Sequence, residues 1–348
     1  MSRLFILLGI GMIFNFNCYS QVQKAIFLHH SVGRNMYNEG NVATYITDYN
    51  AQHNTQIQLS EKFYPTNPWP NDNNPYDYWA LWVNGQCSNN DVNIQCLTGL
   101  AANYQLVIFK HCYTGANILA DLGTPLVSSN RQSIENYKLQ YRVLRAELDK
   151  YPNTKFLLWT LVPEHQLEAT NGQELLVNQF VQWVKTQWLS EDGKSHSNIY
   201  LFDVFSQLAK TSNSGINQGD GKLYCLKDIY EKNQNDSHPN TLANETVGPL
   251  FAKRITEVLV GTATNVSNQN SSKIKVFSRK GSSLIAYDCQ TVGKTPQSIF
   301  IYSITGEKVG ETSQIASPQG YIELNRKTGI FIVKLQFESS VHTVKILL

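Results

Sequence analysis

Two short segments hold the residue types that nucleophilic acyl chemistry needs. Phe27-Leu28-His29-His30-Ser31-Val32-Gly33 follows an apolar run near the start of the chain. Asn235-Asp236-Ser237-His238-Pro239-Asn240 precedes a helical pattern much later. A serine hydroxyl is unreactive at neutral pH unless a base takes its proton during attack. A histidine is that base when a carboxylate fixes its tautomer. Ser31 as nucleophile, His238 as base and Asp236 as orienting carboxylate complete such a set if the fold joins the two segments. The backbone N–H groups of Ser31 and Gly33, at the start of a helix, would then face a developing oxyanion. The side chains of Asn35, His111 and Asn117 are further donors, and Lys110 adds positive charge if it points into the cleft. Each residue also has a bland role: Ser31 and Asp236 suit helix N-caps, and His238 suits a satisfied structural histidine.

The elements that must position these groups alternate between apolar strands and amphipathic helices from Lys24 to about Val260. Ala25 to Leu28, Leu106 to Phe109, Lys155 to Val162 and Ile199 to Phe202 are short, continuous apolar runs. Between them Asn41 to Tyr49 reads as helical. Ser133 to Lys150 places Ile134, Tyr137, Tyr141, Leu144 and Leu148 near helical spacing. Thr170 with Gln173 forms a capping box before a helix carrying Leu176, Phe180, Trp183 and Val184. A last helix runs from beyond His238 toward Leu259, interrupted or kinked at Pro249. Strands without polar alternation belong to a parallel sheet covered on both faces. The expectation is an α/β domain in three layers, with ligands bound beyond the carboxyl ends of the strands. That rim holds His29-His30-Ser31, Lys110-His111-Cys112, Pro163-Glu164-His165 and Asp203. A transition metal held by His29, His30, His111, His165 and His238 with Glu164, Asp203 and Asp236 is a rival reading, a metal-dependent hydrolase. No histidine pair has the spacing of a helical metal site, so no metal and no cofactor is assigned.

One long insert, residues 64–96, breaks the alternation. It carries Tyr64, Trp69, Tyr76, Tyr78, Trp79 and Trp82 among many asparagines. A loop of this length is a lid or binding element, and aromatic faces among amides suit sugar rings, with Trp69, Trp79 and Trp82 as stacking residues. The same residues would equally form an aromatic cluster covering a sheet edge. A glycan-binding protein without catalysis on the same scaffold is therefore a second rival.

Composition narrows the partners. Lys and Arg total 29 against 27 Asp and Glu in 348 residues, a net charge of +2 with no basic block, which argues against nucleic acid. Residues 1–20 read as a secretory signal: Arg3, an apolar core from Leu4 to Phe14, and Cys18-Tyr19-Ser20 before Gln21. The core is too short for a permanent span, and no later stretch is apolar enough to cross a membrane. After cleavage Cys87, Cys96, Cys112, Cys225 and Cys289 remain. Export permits disulfides, and Cys87 with Cys96 is the first pairing to expect, against an alternative of buried free thiols.

A polar stretch at Thr262 to Ser272 marks a boundary, beyond which the pattern is β only. Gln297 to Ile304, Tyr321 to Leu324, Ile330 to Phe337 and Thr343 to Leu348 read as strands of a small all-β sandwich, with a turn at Thr305-Gly306-Glu307-Lys308. The expected organisation is a signal peptide (1–20), an α/β domain (21–261), a linker (262–272) and a C-terminal sandwich (273–348).

Two family resemblances bear on these parts. Ile301-Tyr302-Ser303-Ile304-Thr305-Gly306-Glu307-Lys308-Val309, then Gly329-Ile330-Phe331-Ile332-Val333-Lys334, then Val344-Lys345-Ile346-Leu347-Leu348 resemble the sorting domain of type IX secretion cargo in Bacteroidota. The resemblance implies passage through the periplasm, the type IX machinery as partner, and a secreted or cell-surface location; an ordinary accessory module is the alternative. Residues 24–260 resemble a divergent SGNH (GDSL-like) hydrolase, which implies a flavodoxin-like sheet with the nucleophilic serine after the first strand. Here His29-His30-Ser31 replaces the usual Gly-Asp-Ser, and the family's Asp position is Asn235, with Asp236 one residue closer to His238. The family's Gly-x-Asn-Asp segment has no clean match in Lys110-His111-Cys112-Tyr113. The implied activity is removal of an O-acyl group, acetyl first, from a carbohydrate or other ester.

Overall fold

In the computed structural model, side-chain alternation, or its lack, decides the layers. The described residues are 21–70, 73–211, 222–232 and 236–261, and later 275–278, 283–289, 295–303, 307–313, 315–324, 329–338 and 341–347. The expected leader and linker, Asn235 and the Thr305-Gly306 turn lie outside them. The chain divides into two compact units, Met1–Ala263 and Thr264–Leu348.

The first unit runs β1 (Gln23–His29), α1 (Ser31–Glu39), α2 (Val42–His53), β2 (Ile57–Phe63), α3 (Pro75–Tyr78), α4 (Leu97–Asn103), β3 (Leu106–Phe109), α5 (Ile134–Leu148), β4 (Lys155–Trp159), α6 (Gln173–Trp183), β5 (Ile199–Phe202), α7 (Val204–Leu208) and α8 (Thr241–Val260). All five strands are parallel, in the order β2-β1-β3-β4-β5. This is the flavodoxin-like doubly wound order, with its switch point between β1 and β3. The central strands are buried on both faces. Phe27, Ile108, Leu157 and Trp159 meet Val247, Phe251 and Ile255 of α8 on one side. Phe109 meets Tyr78 and Trp82 on the other, ring centroids 5.1 and 5.2 Å away.

Three local departures from the sequence pattern have simple causes. β2 escapes the apolar-run criterion because it is an edge strand with a largely polar, half-exposed sequence, IQLSEKF. β4 ends at Trp159, before Thr160 turns its hydroxyl to the N–H of Phe205 (3.0 Å). α6 starts at Gln173 behind a left-handed Gly172 (φ 76°), so Thr170 is not its N-cap. Only one arm of the box forms, the Thr170 N–H donating to Gln173 Oε1 at 2.8 Å.

α1 and α8 meet backbone to backbone. A Cβ built on Gly248 would lie 2.5 Å from the Gly40 Cα, and one on Gly40 would lie 2.7 Å from the Gly248 Cα. Asn244 Nδ2 donates to Glu39 Oε2 at 2.9 Å beside this crossing. The helix that begins with Ser31 is thereby fixed against the helix that follows His238.

The second unit contains β6 (Lys275–Ser278), β7 (Leu284–Asp288), β8 (Ser298–Ser303), β9 (Lys308–Ser313), β10 (Gln319–Glu323), β11 (Ile330–Gln336) and β12 (Val341–Leu347). They form two antiparallel sheets, β10-β7-β6 and β12-β11-β8-β9. Ile285, Ile322, Ile299, Ile301, Phe331, Val333 and Leu335 form the core they share. No helix among the described residues is long and apolar enough to cross a membrane.

Gly248→Ala should destabilise the first unit by about 1–3 kcal/mol, because the added methyl overpacks a backbone contact that cannot part cheaply. Urea unfolding checks this; an unchanged midpoint would mean that the two helices separate freely.

Candidate active site

Ser31 is the first helical residue after β1, and the N-cap is His30, in extended conformation. Its hydroxyl therefore does no capping. Ser31 Oγ lies 2.6 Å from His238 Nε2 instead. His238 Nδ1–H donates to Asp236 Oδ1, and the same oxygen accepts the His238 backbone N–H at 2.8 Å. Asp236 is likewise no helix cap, since Asn240 caps α8 by accepting from the Ala243 N–H at 3.0 Å. A carboxylate two residues before the histidine thus closes a small ring that grips both the backbone and the imidazole of His238. With Nδ1 carrying the hydrogen, Nε2 is free to accept the Ser31 proton.

Electrostatics hold the carboxylate ionised. Partial burial pushes Asp236 up, but the two hydrogen bonds from His238 and the Lys232 ammonium 3.6 Å away outweigh it and keep its pKa below the ordinary carboxylate value. Tyr113, in the turn after β3, sets its ring edge-on to His238 at 5.0 Å and covers it.

The first intrahelical bond of α1 is Arg34 N–H to the His30 carbonyl (3.0 Å). The N–H groups of Ser31, Val32 and Gly33 therefore stand outside the helix ladder, at its positive end. Gly33 has a packing reason as well, because a Cβ there would sit 2.4 Å from His29 Cβ. Asn35 is half-buried one turn further along α1, and Asn117 is half-buried after the Tyr113 turn.

Other expected contributors lie elsewhere. Lys110 is fully buried and its Nζ has no hydrogen-bond partner among the described residues, so it does not line an open cleft. Burial pushes its pKa down, partly offset by Cys112. His111 is turned into the other layer, against Tyr78 and Tyr141 at 5.1 and 5.6 Å, with both ring nitrogens buried. Burial, then Lys110, lowers it to about 3, so it is a neutral packing group and not an oxyanion donor. Trp79 and Trp82 are core residues, and Trp82 Nε1 donates to the Tyr64 hydroxyl (2.5 Å) beneath the rim. The insert is an aromatic cluster covering the sheet, tied by the Cys87–Cys96 disulfide. Trp69 alone of the three stays half-exposed, its Nε1 donating to Asp77 Oδ1 at 2.8 Å.

The rim histidines have separate partners. His29 meets Glu61, His30 meets the Pro65 carbonyl, and His165 meets Glu231 at 3.1 Å. Asp203 caps α7 and pairs with Lys185. Among the described residues no three His, Cys, Asp or Glu side chains group as metal ligands. Cys112, Cys225 and Cys289 are buried, and Cys112 and Cys225 are free thiols.

Sequence reasoning did not single out Ser237 or Glu168. Ser237 is buried next to His238; its hydroxyl accepts the His165 N–H at 2.9 Å and donates to Glu168, strapping the β4–α6 loop to the histidine loop. Glu164, only 4 % exposed, lies in that loop. Burial, and then the neighbouring Glu168 charge, raises its pKa to about 8.

No protein-family model and no curated protein matches the chain. The solved structures similar to it are remote. A carbohydrate acetylesterase from Xanthomonas citri shares 16 % identity over 84 % of this chain and 59 % of its own, with a TM-score of 0.34. A gut microbial diltiazem-metabolizing enzyme shares 9 % over 88 % of this chain and 73 % of its own, with a TM-score of 0.37. A Streptococcus pneumonia protein named for platelet activating factor shares 10 % over 70 % of this chain and 86 % of its own, with a TM-score of 0.35. At these values the likeness transfers no residue role.

Two outcomes follow from these environments. Glutamate in an unfolded chain titrates near 4.5, whereas folded Glu164 keeps its proton to about 8, so the folded state holds the extra proton between those values. Stability from this group is full below the lower value and is lost as pH rises toward the upper one. Glu164→Gln cannot ionise, and its melting temperature relative to wild type should rise from pH 5 to pH 8; a constant offset would show Glu164 to be ordinary. Trp82→Ala should cost about 3–5 kcal/mol of stability, as for other buried aromatic truncations, measured by chemical denaturation.

Proposed function

We propose that residues 21–261 form a serine ester hydrolase of the SGNH type. The observation that carries this reading is the unbroken hydrogen-bond chain Asp236–His238–Ser31 at the carboxyl rim of the sheet, beside its switch point. A binding protein on this scaffold has no need of such a chain.

In the proposed reaction Ser31 Oγ attacks the acyl carbonyl while His238 Nε2 takes its proton. Asp236 stabilises the imidazolium through Nδ1–H. The carbonyl oxygen, now negative, is held by the N–H groups of Ser31 and Gly33 at the start of α1. His238 returns the proton to the departing alcohol, leaving Ser31 acylated. Water then attacks the acyl-enzyme with His238 again as base, and the acid leaves as Ser31 recovers its proton.

The substrate we propose is an O-acetylated or otherwise O-acylated carbohydrate. Half-exposed Trp69 and Tyr113, and a surface rich in uncharged polar side chains, support a sugar over a charged polymer. Export belongs to the same proposal: the leader at 1–20 supports passage into the periplasm, and the terminal motifs on the β8, β11 and β12 strands support sorting by the type IX machinery.

The test is release of p-nitrophenol from p-nitrophenyl acetate by wild type, Ser31→Ala and His238→Ala, each checked for folding by circular dichroism. Turnover should fall at least about a thousandfold in both variants, and Asp236→Asn should retain more than either. Turnover equal to wild type in the Ser31 or His238 variant would remove the proposed nucleophile or base.

A further inference from the structure

A second histidine–carboxylate pair lies directly behind the nucleophile. His29 ends β1 and is fully buried. Its Nδ1 is 3.0 Å from the His30 carbonyl oxygen, and its Nε2 is 2.6 Å from Glu61 Oε2 on the edge strand β2. A carbonyl oxygen only accepts, so Nδ1 carries a hydrogen and donates it. Nε2 and the carboxylate must then hold one proton between them, since two bare lone pairs would repel at that distance. Burial, and then the Lys110 charge, push the imidazole down to about 3; the bond to the His30 carbonyl opposes them, while the His30 and Arg34 charges act in the same direction as burial. Tyr37 faces Glu61 from α1. Whichever atom holds the shared proton, Nδ1–H remains a donor.

The acceptor of that bond matters. The His30 carbonyl belongs to the same peptide group as the Ser31 N–H, the first oxyanion donor of the proposed reaction. A hydrogen bond to the oxygen of an amide polarises its N–H and fixes its plane. The Arg34 N–H reaches the same oxygen, also at 3.0 Å. His29 is itself held in place: Gly33 sits on its Cβ, and Phe27 and Phe63 flank its ring at 4.7 and 5.4 Å.

We propose that His29 and Glu61 are positioning residues that orient and polarise the His30–Ser31 peptide for oxyanion binding. The role rests on the serine hydrolase reading, and it adds a task for residues that touch neither substrate nor nucleophile side chain. Glu61 is on an exposed edge, so its variants should fold.

The test compares Glu61→Leu with Glu61→Gln, whose amide can still donate to a neutral His29. Two readouts are taken: ester turnover, and the Ser31 backbone amide proton by nuclear magnetic resonance without substrate. Glu61→Leu should lower kcat about tenfold with KM unchanged, less than loss of an oxyanion donor outright. It should also move the Ser31 amide proton upfield. Glu61→Gln should retain most of both. An unmoved Ser31 amide in Glu61→Leu, or equal kcat in the two variants, would overturn the proposal. If wild type turns over no ester, the hydrolase reading fails, while the amide shift still decides whether the pair acts on that peptide.

Discussion

Two helix backbones touch at Gly40 and Gly248 with no side chain between them, and the geometry of the rim depends on that contact. α1 begins with Ser31, and α8 begins just after His238. Neither residue is placed by its own side chain alone. Each is carried on a rigid element, and the two elements are set to one spacing where their glycines meet. The sheet does the rest: β1 fixes the start of α1, while Phe27 and Trp159 press on Phe251 to hold α8 down. A hydrogen bond of 2.6 Å between residues 207 apart in sequence requires this kind of rigidity from both sides.

How much of this was legible in the sequence depended on burial. β3 and β5 were recognisable to the residue because a strand covered on both faces must be apolar throughout, as LVIF and IYLF are. β2 was not, because an edge strand needs only half its side chains inside. The aromatic insert misled for a related reason. A tryptophan that stacks on a sugar and one that sets itself edge-on to Phe109, as Trp82 does, look the same in composition and spacing, and only depth separates them. Ser31 was ambiguous by a single residue, since a helix beginning at 32 would have made it an N-cap. Glu61 carried no signal alone; its partner was visible only once β1 and β2 were in register, with His29 opposite Phe63.

The two histidine–carboxylate pairs differ in what their surroundings permit. His238 and Asp236 are partly exposed and close in sequence, with the Lys232 ammonium beside the carboxylate. His29 and Glu61 come from neighbouring strands, with the imidazole sealed among aromatic rings and cations. Location in the fold, rather than residue type, separates the open pair from the sealed one.

The Asp236–His238 ring also has a kinetic side. It spans two residues, so closing it costs almost no chain entropy and it forms whenever its own loop does. The bond to Ser31 closes a loop two orders of magnitude longer, and that loop stays closed only after β1, β3 and both glycine-bearing helices have docked. A refolding chain would therefore regain its local dyad early and the Ser31–His238 bond last. The Ser31–His238 bond is in this sense a clock for the completion of the first unit, set by the slowest long-range contact in it.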